Sequence, residues 1–219
     1  MPATATITVP VADPIAERFA RETAEHAMTI LHDDGLYRHV RFMGSKDSAY
    51  WFDLITVPSS LIFRGDGESF VFARLKDMFE FFRSNPDRDT HRISPDYWAE
   101  KLTSSRDAVK VYSREKLDQH VAENLEWAEE HWPGVTAAWG AETDGGSYYD
   151  LDYEASAREA LRDFEYRSKS RREPFRFSDT WEWDLRDFDW WYLWACHAFV
   201  TGIARYGQAK TSPPTTAAH

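Results

Sequence analysis

The strongest constraint on the fold is a concentration of tryptophan near the end of the chain. Five of the ten tryptophans fall within fourteen residues, at Trp181, Trp183, Trp190, Trp191 and Trp194. The stretch from Trp190 to Ala204 contains no Asp, Glu, Lys or Arg, and a helix that is apolar on all sides is normally buried. We therefore predict a central, buried helix over about 187–206. An aromatic binding groove or an interface hot spot is the alternative interpretation of the same cluster.

A change of hydrophobic period near Leu36 predicts a β-sheet. From there apolar residues alternate with polar ones, and short polar turns separate strands expected near 36–43, 49–57, 60–64 and 69–74. Strands joined by such short loops must pair antiparallel. The turn from Gly65 to Glu68 resembles half of a phosphate or calcium loop but lacks the remaining ligands, so it is interpreted as a hairpin turn.

Helices are predicted on both sides of this meander. Asp13-Pro14 is a typical helix start, and apolar residues at helical spacing predict a helix over 14–31. Further helices are expected over 113–131 and 153–166. The fold class is therefore α+β: an N-terminal helix, a four-stranded antiparallel meander and a mostly helical C-terminal half that ends in the buried Trp-rich helix. We expect one domain over 1–208 and a flexible, Pro-containing tail over 209–219.

Acidic residues are concentrated in one part of the chain. The formal net charge is −11, and residues 113–165 carry 14 acidic but only 4 basic side chains. Such a field repels nucleic acid and attracts basic surfaces. The predicted partner-binding residues lie on the two helices of this stretch: Glu123, Glu126, Glu129, Glu130, Glu154, Glu159 and Asp163. The alternative is a solvated helix face that only aids solubility.

Composition narrows the remaining possibilities. The single cysteine, Cys196, excludes an internal disulfide and a Cys-rich zinc site. The sequence indicates no signal peptide, and its longest uncharged stretch is shorter than the ~20 residues of a membrane span. We expect a cytoplasmic protein that binds neither membrane nor nucleic acid directly, and we predict no cofactor and no metal.

Four residues are the weak candidates for a catalytic site. His32 and Asp33 form a His-Asp doublet, which suits a divalent ion, but Asp33-Asp34-Gly35 is also typical of a turn. His39 and Asp53 fall on neighbouring predicted strands and would suit general acid–base chemistry if their faces coincide. The alternative for that pair is a solvated sheet face with cross-strand ion pairs.

Four segments of the chain resemble one known protein family. They are GLYRHVRF from Gly35, FDLITVPSSLIFRGDG from Phe52, VFARLKDMFEFFR from Val71 and LWACHAFVTGIARYGQ from Leu193. In this order they resemble uncharacterised accessory proteins of tailed phages and prophages, over roughly 30–83 and the final helix. The resemblance implies a phage source and a place in the host cytoplasm, and it implies no reaction.

Three functions follow as hypotheses. The first is a phage accessory protein that binds a host or phage protein through its acidic surface, such as an anti-CRISPR-like inhibitor that occupies a basic nucleic-acid-binding surface. The second is a small metal- or nucleotide-dependent enzyme with a site around the meander. The third is a structural or regulatory phage protein. Of these we favour binding over catalysis.

Overall fold

The computed structural model describes residues 13–44, 49–83, 93–144 and 148–211. The helices are α1 (Pro14–Glu22), α2 (Met78–Phe82), α3 (Pro95–Ala99), α4 (Arg114–Glu129), α5 (Val135–Thr143), α6 (Glu154–Asp163) and α7 (Trp190–Thr211). The strands are β1 (Ala27–Asp34), β2 (Tyr37–Met43), β3 (Phe52–Val57), β4 (Ser60–Gly65), β5 (Phe70–Ala73), β6 (Lys110–Tyr112) and β7 (Arg186–Phe188). The α+β class is confirmed.

The chain forms two compact units. Unit 1 comprises Met1–Val109 and Phe188–His219, and unit 2 comprises Lys110–Asp187. The expected single domain over 1–208 stays a prediction. Of the expected tail, residues 209–211 continue α7, and residues 212–219 lie outside the described part of the chain.

An antiparallel meander of five strands, in the order β1-β2-β3-β4-β5, forms the sheet of unit 1. Strands β2 to β5 confirm the predicted meander. Strand β1 is an additional strand, and its residues 27–31 were expected to be helical. The predicted helix over 14–31 is wrong beyond Glu22. Helix α1 ends where the Thr23 hydroxyl donates to the carbonyl oxygen of Phe19 at 2.8 Å. The following residues include β-branched Thr29 and Ile30, and they pair with β2 instead.

Helix α7 lies against the apolar face of this sheet. Its core side chains include Trp194 and Phe199, both fully buried, as predicted for the Trp-rich helix. Gly202 allows the close approach, because a Cβ there would lie 2.7 Å from Leu54 Cδ1. The opposite face of the sheet carries the charged residues considered below.

A separate core holds unit 2 together. The buried faces of α4, α5 and α6 meet several aromatic side chains, among them Phe164, Phe175 and Phe177. Helices α4 and α6 were predicted, whereas α5 begins directly after the Pro133-Gly134 pair that was expected only to end α4. On α4, Val121, Leu125 and Ala128 face this core, so Glu123 and Glu126, which lie between them in sequence, face outward.

Candidate functional site

The sheet of unit 1 brings together two of the four candidate catalytic residues. In the strand register Arg41 of β2 lies opposite Asp53 of β3, and Asp53 lies opposite Arg64 of β4. His39 is two residues from Arg41 on β2, so its side chain projects from the same face. The faces of β2 and β3 therefore coincide, as the general acid–base hypothesis required.

The Asp53 carboxylate is buried beneath three basic side chains. His39 Nε2 lies 2.9 Å from Asp53 Oδ2, and Arg41 Nε donates to Oδ1 at 2.8 Å. Arg64 Nε donates to Oδ2 at 2.9 Å, and none of the Asp53 side chain is exposed to solvent. Each oxygen of the carboxylate therefore has a basic partner: Oδ1 bonds Arg41, and Oδ2 bonds Arg64 and the His39 ring.

The electrostatics of this cluster favour a permanently ionised Asp53. Burial by itself raises the pKa of this carboxyl, but the hydrogen bonds from Arg41, His39 and Arg64 outweigh burial and lower the pKa to about 2. A general base works best with a pKa near the working pH. Asp53 is therefore suited to holding three strands together as a buried anion, rather than to accepting a proton.

The other two candidates lie apart from this pair in their contacts. His32 of β1 is opposite His39 in the register, but Asp33 accepts hydrogen bonds from the Tyr206 hydroxyl and from Lys210 Nζ, both at 2.8 Å. The Lys210 contact lowers the pKa of Asp33. His32 and Asp33 lie in β1, and of the suggested turn Asp33-Asp34-Gly35 only Gly35, with φ +61°, lies in the turn between β1 and β2. Within the described residues, no group of three His, Cys, Asp or Glu side chains is placed to hold a metal ion.

Sequence reasoning missed Arg64 as a member of the cluster. The signal was present, because the tight turn between β3 and β4 pairs Val57 with Ser60. Counting back from that pair places Arg64 opposite Asp53. The Trp51 ring completes the cluster, with the guanidinium carbons of Arg41 and Arg64 at 5.4 and 5.5 Å from its centroid.

A stripe of acidic residues covers the exposed face of α4 in unit 2. We define the α4 stripe as Glu123, Glu126, Trp127 and Glu130, which are all exposed. Trp127 lies at the centre of the stripe and is 57% exposed. Its ring stacks on that of His131, with ring centroids 4.9 Å apart. In the described part of the chain, Glu126 and Glu130 have no basic partner. The stripe thus combines unneutralised carboxylates with a large apolar surface.

Glu129 belongs to the predicted partner-binding set but has a local role. Its carboxylate accepts hydrogen bonds from the backbone N–H of Gly134 and of Thr136, and from the Thr136 hydroxyl at 2.7 Å. These bonds lower its pKa. Glu129 therefore caps the first turn of α5, so its carboxylate is engaged within unit 2.

The acidic residues of α6 are neutralised within unit 2. Glu154 bonds Arg158 at 3.0 Å and Arg186 at 2.9 Å, while Arg162 lies between Glu159 and Asp163, at 3.4 and 2.8 Å. The seven predicted partner-binding residues thus divide into unpaired acids on α4, a cap, and arginine-paired acids on α6.

The described helices include none that is long and apolar enough to cross a membrane.

We compared the chain with known proteins to ask whether either charged region has a precedent. No family model, curated protein or solved structure matches it.

Proposed function

We propose that the protein acts by binding a basic surface of another protein through the α4 stripe. The single observation that carries the proposal is the exposure of Trp127 among Glu123, Glu126 and Glu130 on the face of α4 opposite its core side. Tryptophan is enriched among residues that dominate binding energy. The surrounding carboxylates would attract a basic partner and exclude an acidic one.

The chemistry of the stripe suggests the class of partner. A surface that binds nucleic acid presents Lys and Arg at positions that meet phosphates, and a row of carboxylates can compete for those side chains. Together with the resemblance to phage accessory proteins, the row of carboxylates supports the proposal that the chain is a phage protein. It would occupy a nucleic-acid-binding surface of a host defence system. It would act in the host cytoplasm.

The test compares two triple variants of equal charge. The first reverses the stripe by Glu123→Lys, Glu126→Lys and Glu130→Lys. The second reverses three exposed acids of unit 2 that lie outside α4, by Glu142→Lys, Glu173→Lys and Glu182→Lys. Each protein is used to capture partners from cells infected by, or lysogenic for, a tailed phage, and the retained proteins are identified by mass spectrometry.

We expect the parent and the second variant to retain the same basic protein, and the stripe variant to lose it. Binding of the purified pair should weaken as salt rises from about 50 to 200 mM, because exposed charges are screened over this range. Trp127→Ala should weaken binding about tenfold or more without a change in net charge. Equal capture by the stripe variant and the parent would refute the proposal.

A further inference from the structure

Unit 1 contains a surface cleft of about 600 Å³. Its lining includes no residue of the Asp53 cluster or of the α4 stripe. Three segments meet there: the residue pair before β3, the turn between β4 and β5, and the start of α7. The lining residues are Tyr50, Asp66, Gly67, Glu68, Trp190 and Trp191. Aromatic rings and carboxylates thus border one concave space.

The aromatic surfaces of the cleft are held in place by the fold. Trp191 is almost fully buried and donates from Nε1 to the carbonyl oxygen of Glu68 at 2.9 Å. Gly67 lies so close to this ring that a Cβ there would be 2.5 Å from it. Trp190, by contrast, is 40% exposed at the start of α7. The Trp191 ring is therefore fixed between Gly67 and Trp194, on which it stacks with ring centroids 4.8 Å apart, and Trp190 supplies the accessible indole of the cleft.

The acidic groups of the cleft have no basic partner among the described residues. Asp66 accepts a hydrogen bond from the backbone N–H of Tyr50, which fixes the position of the carboxylate. Neither Asp66 nor Glu68 forms an ion pair with any described residue. A space bordered by two carboxylates and by the exposed indole of Trp190 favours an organic cation, because both the carboxylates and the quadrupole of the indole ring attract positive charge.

The chain itself shows that these rings accept a cation. The Arg18 guanidinium carbon lies 3.8 Å from the centroid of the Trp190 ring. Its Nη2 donates to the Tyr50 hydroxyl at 3.4 Å, and its Nε donates to Glu22 at 2.8 Å. Arg18 is thus already paired with Glu22, while Asp66 and Glu68 line the cleft without an ion pair to any part of the chain that the structure describes.

We propose that this cleft is a binding site for an organic cation, a guanidinium or an alkylated ammonium group. The Trp190 ring contacts the apolar or planar surface of the cation on the side that Arg18 does not cover, and Asp66 and Glu68 balance its charge. The site is independent of the proposed function, since it involves other residues in the other unit.

The test follows the indole N–H resonance of Trp190 by NMR, assigned by its loss in Trp190→Phe. The probes are choline, ethylguanidinium and dimethylbutanol, the last being the uncharged carbon isostere of choline. We expect chemical-shift changes that saturate at cation concentrations below about 50 mM for at least one of the two cations, and no change with the isostere. This concentration range extends well above the ~1 mM Kd of a weak site. A tighter response to a short arginine-containing peptide than to ethylguanidinium would identify a peptide side chain as the source of the cation.

Variants separate a site from a general surface effect. Glu68→Gln and Trp190→Ala should each weaken cation binding about fivefold or more. For Trp190→Ala, which lacks the reporter indole, binding is followed at the backbone amide resonances of Gly67 and Trp191. The matched controls are Glu80→Gln, an exposed acid of α2, and Trp181→Ala, whose indole is 73% exposed in unit 2. Both controls should bind as the parent does, and the dispersion of the amide spectrum verifies folding of each variant. No saturable shift, equal shifts with the isostere, or an unaffected Glu68→Gln would overturn the proposal.

Discussion

Three acidic side chains packed within unit 1 have different surroundings from those on the exposed face of α4 in unit 2. In unit 1, Asp53 and Asp77 bond arginines of neighbouring elements at 2.8 Å, and Glu22 accepts from Trp194 Nε1 at 2.9 Å. On α4 of unit 2, Glu126 and Glu130 face solvent. A buried, paired carboxylate is costly to remove because its partners are left uncompensated, whereas an exposed one contributes little to stability. The first group therefore stabilises the fold, and the second contributes little to it.

The largest expected effect contrasts a buried tryptophan with an exposed one. Trp194 is fully buried, and its ring centroid lies 4.9 Å from that of Phe19. Trp194→Ala should lower the free energy of unfolding by ~3–5 kcal/mol, while Trp127→Ala on the α4 stripe should lower it by about 1 kcal/mol or less. Urea denaturation followed by circular dichroism measures both. Equal losses would contradict the contrast between the two units.

An intermediate effect is expected from acid, through Asp53. Its pKa is about 2 in the folded protein against an ordinary value of 3.8. Because the folded pKa is lower, the stabilisation is complete above pH 3.8 and is lost as the pH falls towards 2. The shift corresponds to about 2 kcal/mol.

The control for this prediction is Asp53→Asn, which cannot titrate. The parent should be more stable than Asp53→Asn at pH 5, and the difference in the free energy of unfolding should shrink as the pH is lowered towards 2. Urea denaturation of both proteins over this pH range provides the measurement. A difference that does not change with pH would show that the charge of Asp53 does not matter to the fold.

The smallest effect separates two adjacent residues of the acidic region. Glu129 caps α5 through Gly134 and Thr136, whereas Glu130 is exposed beside the stripe tryptophan. Glu129→Ala should lower the melting temperature measurably, and Glu130→Ala should leave it within experimental error. Binding to the partner of the α4 stripe should show the opposite order, with Glu130→Ala weakening it more than Glu129→Ala does. If both residues behave alike in melting, the cap does not stabilise unit 2.

Local patterns determined a large part of this fold. The alternation after Leu36 and the short turns were sufficient for the last four strands of the meander, because strand pairing across a tight turn depends on neighbouring residues. The run from Trp190 to Ala204 was sufficient for a buried helix, since a helix without a polar face must be enclosed. The same period-two pattern placed His39 and Asp53 on neighbouring strands.

The tertiary structure decided what local spacing left open. Apolar residues at helical spacing continued past Glu22, but pairing with β2 made Ala27–Asp34 a strand. Sequence alone showed seven acidic residues on two helices. Only the folded chain separated the unpaired Glu126 from the capping Glu129 and the arginine-paired Glu154. The cleft at Trp190 joins residues more than a hundred positions apart in sequence, and long-range packing, which no periodicity encodes, creates it.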